Sequence, residues 1–157
     1  MAALARILLV EDAPTEWGLA LSSLPGKRMM DETAVVSDRD EALDFLHARG
    51  LFRHRGSGLP AVVVLGPSLK ANAALSLLGY IRNDATLHQV PVVLIAAQLD
   101  AELVRRAYEC GANSVIRAHA EAKVQAGQYA ALAQFWVRAN EPPPGCLPSP
   151  NAQHATE

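Results

Sequence analysis

The chain has 157 residues, half of them hydrophobic, and a formal net charge of -2 from 14 basic and 16 acidic side chains. That composition suits a single globular domain with its own core and excludes a disordered chain. It offers no basic field for nucleic acid, and no apolar run approaches the ~20 residues of a membrane span.

Leu4 to Val10 is predicted as a first buried strand, ending in the acids Glu11 and Asp12. Pro14 and Thr15 open a helix carrying Trp17, Leu19, Leu21 and Leu24, which Pro25-Gly26 stops. Thr33 to Val36 is a short second strand. Asp38 is a good N-cap for a helix whose stripe of Ala42, Leu43, Phe45 and Leu46 runs up to Gly50. Leu51 to Pro60 is a basic loop containing Arg53, His54 and Arg55. Ala61 to Leu65 is apolar without a break and stops at Gly66-Pro67-Ser68, as a strand buried on both faces does.

Asn72 to Arg82 is predicted as a helix with Leu75, Leu78 and Ile81 inside. Val92 to Ala96 is a fourth strand. Asp100 to Cys110 is a helix with Leu103, Val104 and Ala107 at core spacing, ended by Gly111. Ser114 to Ile116 is a fifth strand, and Ala120 to Ala139 a long last helix. Residues 1–140 form one domain; 141–157, with five prolines and no periodicity, read as a flexible tail. Strands alternating with helices imply βαβ units and right-handed crossovers. The expected fold is α/β: a flavodoxin-like, doubly wound, five-stranded parallel sheet of order 2-1-3-4-5, with helices on both faces.

Functional groups in such sheets sit at the carboxyl ends of the strands. After the third strand that place is held by Gly66, which has no side chain. Cys110 and Cys146 lie far apart without metal spacing, as reduced thiols of a cytoplasmic protein do. His54, His119 and His154 lack a second ligand at metal spacing and are expected at the surface. The N-terminus shows no signal-peptide pattern, because acids follow its short apolar start.

Four stretches, in this order, resemble the response regulator receiver family. Ile7-Leu-Leu-Val-Glu-Asp12 is similar to its first strand and acidic pair, and Asp40-Glu-Ala-Leu-Asp-Phe-Leu46 to its second helix. Leu65-Gly-Pro-Ser-Leu69, with Ala74-Leu75 and Ile81-Arg82, stands in the register of its Leu-Asp-x-x-Leu-Pro segment and third helix. Gly111-Ala-Asn-Ser-Val-Ile-Arg117 resembles the approach to its fifth strand. The Gly50–Pro60 loop, and Phe135-Trp136 with Asn140-Glu-Pro-Pro143, further resemble stand-alone receivers of the phytochrome-associated type.

In that family a histidine kinase passes a phosphoryl group to an aspartate. Acids hold a divalent ion there, a Thr or Ser follows strand four, and a Lys follows strand five. Cations and donors are needed because a carboxylate attacks an already anionic phosphorus. Residue by residue, the resemblance breaks down at the chemistry. The phosphoacceptor position is Gly66, the Thr/Ser position Ala96 and the Lys position Ala118, followed by His119 for proline. Lys70 stands for the proline after Leu69, and Ala74 for the usual glycine. Arg117 lies one residue early, on the opposite face of its strand, and does not replace the lysine. Glu11 and Asp12 remain as a vestigial acidic pair, solvated at a strand end and leaving at most weak magnesium binding. Lys70 is expected as a plain surface lysine, the lesser alternative being that it leans over to pair with Asp12.

The expected function is therefore a pseudo-receiver: a two-component or phosphorelay protein that acts through protein contacts, is no enzyme and needs no cofactor. Candidate partners are a sensor histidine kinase or another signalling protein, with no nucleic acid and no membrane. Two alternatives stand. One is a receiver phosphorylated on a different residue, with Ser68 as candidate. The other is a small-ligand-binding flavodoxin-like domain, disfavoured because Glu11-Asp-Ala-Pro-Thr15 puts acid where a phosphate loop belongs.

A homodimer is also expected, through the face made by helix 100–110, strand 114–116 and the last helix. Phytochrome-associated receivers, by resemblance, pair there. Val124, Gln128, Leu132, Phe135 and Ala139 are assigned to the core side of the last helix, and Tyr129, Ala133 and Trp136 to a second stripe. Tyr129, Leu132, Phe135 and Trp136 are the interface candidates. The competing reading makes Trp136 a cap on the sheet edge beneath the tail.

Overall fold

The structure is a computed structural model and describes residues 5–12 and 32–146. The helix expected from Pro14 to Leu24, and the tail beyond Cys146, lie outside the described residues. Five parallel strands, β1 (Ile7–Val10), β2 (Thr33–Val36), β3 (Val62–Leu65), β4 (Val92–Ala96) and β5 (Ser114–Arg117), form one sheet of order β2-β1-β3-β4-β5. The expected topology is thus the observed one.

Four described helices connect and cover the strands: α1 (Arg39–Leu46), α2 (Ala71–Asn83), α3 (Ala101–Glu109) and α4 (Ala122–Ala133). Asp38 caps α1 by accepting the Glu41 N–H at 2.9 Å, and Asp100 caps α3 by accepting the Leu103 N–H at 2.8 Å. Both caps satisfy amides that a helix's own ladder leaves unbonded. Neighbouring strand residues point to opposite faces, so the inner strands β1, β3 and β4 each feed two cores. Leu8, Val10, Val63, Leu65 and Leu94 pack with α1 and α2 on one face. Ile7, Leu9, Val62, Val64, Val93 and Ile95 pack with α4 on the other. Each such side chain contributes about 1.5–3 kcal/mol on burial. The two faces together therefore outweigh any single polar contact at the strand ends.

Three sequence expectations are corrected. Of Leu103, Val104 and Ala107 on α3, only Ala107 is fully buried; the others are half-buried over the edge strand β5, which is itself incompletely covered. On the last helix the core side is Gln125, Tyr129, Leu132, Ala133 and Val137, sharing only Leu132 with the expected stripe. Two physical reasons account for this. Gln125 can enter the core because its Nε2 donates to the Tyr129 hydroxyl at 2.8 Å, so neither polar group is stranded. Beyond Ala133 the helix widens into π-helical turns over Gln134–Ala139, with Asn140 N–H donating to the Phe135 carbonyl at 2.7 Å, and the wider turn shifts the phase of the stripe. Third, the tail begins attached: Leu59 N–H donates to the Gly145 carbonyl at 2.9 Å, and Cys146 packs on the core. Burial pushes the Cys146 thiol up to about 11, which keeps it a protonated apolar group.

At the amino ends of the strands the loops are held by two arginines. Arg82 of α2 donates to the carbonyls of Gly111, His88 and Val90 at 2.8, 2.9 and 2.7 Å, and to Asn113 Oδ1 at 2.8 Å. Asn113 Oδ1 also accepts the Val92 N–H at 2.8 Å, tying the starts of β4 and β5 together. Arg55 donates to the carbonyls of Phe45 and Leu46 at the end of α1 and to those of Gly56 and Gly58. Its guanidinium also lies over the Phe45 ring, 5.0 Å from the centroid. Burial lowers the pKa of both arginines, yet a guanidinium stays charged in any protein setting.

Candidate functional site at the carboxyl edge of the sheet

The carboxyl ends of β1, β3, β4 and β5 bring together the residues singled out in the sequence. Gly66 N–H donates to the Val10 carbonyl at 2.9 Å, which sets Gly66 beside the acids that follow β1. Ala118 N–H donates to the Ala96 carbonyl at 2.9 Å, so those two positions are neighbours. Glu11, Asp12, Gly66, Ala96 and Ala118 therefore share one edge, as topology requires of residues ending adjacent parallel strands.

The two acids differ, which corrects the expectation of a solvated pair. Asp12 is exposed, but Glu11 is only 6% exposed. Its carboxylate lies over Gly66. A Cβ built on Gly66 would overlap the carboxylate, lying 2.9 Å from its carboxyl carbon and 3.0 Å from the Val10 carbonyl oxygen. The missing side chain is what makes room for Glu11. Ser68 closes the arrangement: its Oγ accepts the Asp12 N–H at 2.8 Å, and its own N–H points to Glu11 Oε2 at 3.4 Å. Leu69 N–H donates back to the Gly66 carbonyl at 3.2 Å, forming a tight turn. Ser68 as a strap between the acids and this turn was not readable from the sequence, because its partners lie 56 and 57 residues away.

Lys70 does not pair with Asp12; it is exposed at the N-cap position of α2 and forms no ion pair within 4 Å among the described residues. Instead it lines a cleft on the far side of the turn, between α2 and the end of β4. His54 and His119 are exposed, and His119 Nδ1 accepts the Glu121 N–H at 3.1 Å. Among the described residues no three His, Cys, Asp or Glu side chains converge where a metal ion would sit.

The interface candidates separate. Tyr129 and Leu132 are each 4% exposed and belong to the lower core. Trp136 is half-buried against that core, and Phe135 alone of the four is turned outward, 53% exposed, with its ring edge-to-face on Trp136 at 5.1 Å. Phe135 lies with Ala131, Gln134, Arg138 and Ala139 on an open patch of the outer helix surface.

No protein-family profile matches the chain, and no curated protein does. Known structures do. The bacteriophytochrome response regulator RtBRR is 36% identical over 90% of this chain and 86% of that one, with a TM-score of 0.62. The bacteriophytochrome response regulator AtBRR is 33% identical over 88% and 99%, with a TM-score of 0.61. The phosphorylated cyanobacterial phytochrome response regulator RcpA shares the fold at a TM-score of 0.75, covering 90% of this chain and 99% of that one at 23% identity. Among the described residues no helix is long and apolar enough to cross a membrane.

Proposed function

The chain belongs to the response regulator receiver family of two-component signalling, and on that premise we propose that it is a pseudo-receiver, working in the cytoplasm through protein contacts without taking up a phosphoryl group. One observation carries the reading: the Glu11 carboxylate occupies the space in which a side chain at Gly66 would begin. Gly66 offers no nucleophile. The neighbouring positions supply no donor either, because Ala96 and Ala118 end in methyl groups. A phosphoryl group brought here would meet the buried Glu11 carboxylate, a like charge that opposes its approach.

The family's divalent ion does not fit these residues. Magnesium is held in such sites by one or two carboxylates plus the oxygens of a phosphate. Here Glu11 is turned toward the Ser68 amide, Asp12 is in solvent, and Gly66 has no side chain to carry the phosphate. No step is assigned to a metal, and the protein is proposed to be no enzyme. Magnesium with beryllofluoride, followed through backbone amide NMR, tests this. The expected result is an unchanged spectrum; saturable shifts around residues 66–70 and 96–98 would overturn it.

Without a switch, such a protein needs an interface that is always present. We place a homodimer contact on Phe135 and its patch, which replaces the broader set assigned from sequence. An outward aromatic is a typical interface anchor. Sedimentation at micromolar concentration should show a dimer that Phe135→Glu converts to a folded monomer. A monomeric wild type, or a mutant that remains dimeric, contradicts the assignment. Phe135 is the residue to change, since Trp136 is also part of the core packing.

A further inference from the structure

The cleft beside Lys70 has a volume of about 270 Å3 and lies between the turn after β3, the first turn of α2 and the end of β4. It exists because the groups around it are small or stand back. Ala74, Ala96 and Ala97 line it, and Leu103 comes from α3, the thinly packed helix on which Ala107 alone is fully buried. Leu69 and Leu94 supply further apolar wall. Water in such a space has few polar partners, so an apolar group that displaces it is favoured.

We propose that this cleft binds a small monocarboxylic acid with an apolar body, its carboxylate on Lys70. Size sets one limit. An apolar cavity of about 150 Å3 accommodates a benzene ring, so this cleft has room for a ring with a short arm. It falls below the roughly 300–1,000 Å3 of sites for larger ligands. Charge sets the other. No Asp or Glu lines the cleft, so nothing in it recognises a cationic ligand. Lys70 is the cation at its rim and has no ion pair within 4 Å among the described residues. Glu11 and Asp12 across the turn penalise a multiply charged phosphate more than a single carboxylate. Ser68 and Gln98 add neutral polar groups at the rim. The site adjoins the Gly66 arrangement, sharing Ser68 and Ala96 with it, and would give a receiver without phosphoryl chemistry a chemical input.

The test uses the full chain with two probes, 3-phenylpropionate and its neutral amide, 3-phenylpropionamide, followed by amide NMR titration. The acid should give saturable shifts at Leu69, Ala74, Ala96 and Leu103, and bind more tightly than the amide. Lys70→Gln, a surface change, should weaken the acid about fivefold, the size of an exposed ion pair, and leave the amide unaffected. Ala96→Leu, which extends into the cleft, should weaken both. No saturable shifts at millimolar acid, shifts confined to other parts of the surface, or an acid preference that survives Lys70→Gln each overturn the proposal. If Ala96→Leu fails to fold, the Lys70→Gln comparison still decides. The titration contains no phosphoryl donor, so a negative result leaves the pseudo-receiver reading standing.

Discussion

The two ends of the sheet are built on opposite principles. At the amino ends, Arg82 and Arg55 each serve four acceptors from separate loops, so polar side chains determine the geometry. At the carboxyl ends, Gly66, Ala96 and Ala118 supply no functional group, and the turn is held by backbone bonds, Ser68 and a displaced Glu11. The difference teaches that the receiver fold is held by its apolar faces and its amino-end loops. The carboxyl edge keeps its shape with glycine and alanine at three of its positions. Substitutions at the two ends should accordingly have very different costs.

The largest effect is expected from Arg82→Ala. It leaves three carbonyls and the Asn113 side chain without their donor, at about 3 kcal/mol or more. For a chain of this size that corresponds to a melting temperature lower by about 10 °C. Arg82→Lys should recover only a minor part, because a single ammonium cannot reach acceptors spread as a fork. A loss of less than about 1 kcal/mol in denaturant titration would remove the amino-end clamp from the account.

Gly111→Ala comes next, at about 1–3 kcal/mol. Gly111 has φ +104°, a left-handed value that a side chain resists, and its Cβ would lie 2.7 Å from Arg82 Cγ. The two substitutions share one contact, so the double mutant should cost less than the sum of the singles.

A smaller effect is pH-dependent. Asp84, at the end of α2, has its pKa lowered chiefly by the Thr86 hydroxyl, with the Thr86 and Leu87 amides and nearby His47 adding to it. A carboxyl whose folded pKa is depressed stabilises fully above its unfolded value, about 3.9, and loses that stability as pH falls through the folded value. Asp84→Asn should therefore lower stability at neutral pH and flatten its decline below about pH 4. Parallel acid-unfolding curves for the two proteins would contradict this.

The smallest effects belong to the carboxyl edge. Gly66→Ala should cost less than about 1 kcal/mol, because what it displaces is the flexible end of Glu11. Gly66→Asp should push Glu11 aside and place a third acid near Asp12. Magnesium should then raise the melting temperature of the variant and not of the wild type. Switching should stay absent, since Ala96 and Ala118 make no new contact that would favour a second state. Amide shifts spreading through α3 and β5 when this variant is phosphorylated would refute that part.

Much of this was legible in the sequence where the cause is local. The unbroken run Ala61–Leu65 fixes a doubly buried strand, and Asp38 and Asp100 announce the starts of α1 and α3. That Gly66, Ala96 and Ala118 carry no polar side chain is read directly from the sequence, and strand order alone brings them to one edge. What escaped depends on distant partners. Gln125 reads as a surface residue until the Tyr129 hydroxyl is seen to satisfy it in the core. The π-helical turns over Gln134–Ala139, in which Val137 is buried and Phe135 exposed, leave no mark in an apolar pattern. Glu11 reads as a solvated acid, and only the space above Gly66 explains its burial. The acceptors of Arg82 belong to the loops before β4 and β5, so nothing beside it in the chain announces the clamp.

The central claim, that the carboxyl edge takes up no phosphoryl group, is tested most directly by intact-mass spectrometry of the purified protein after incubation with acetyl phosphate and magnesium. The account predicts a single species at the unmodified mass; a time-dependent, saturable adduct of one phosphoryl group would contradict it.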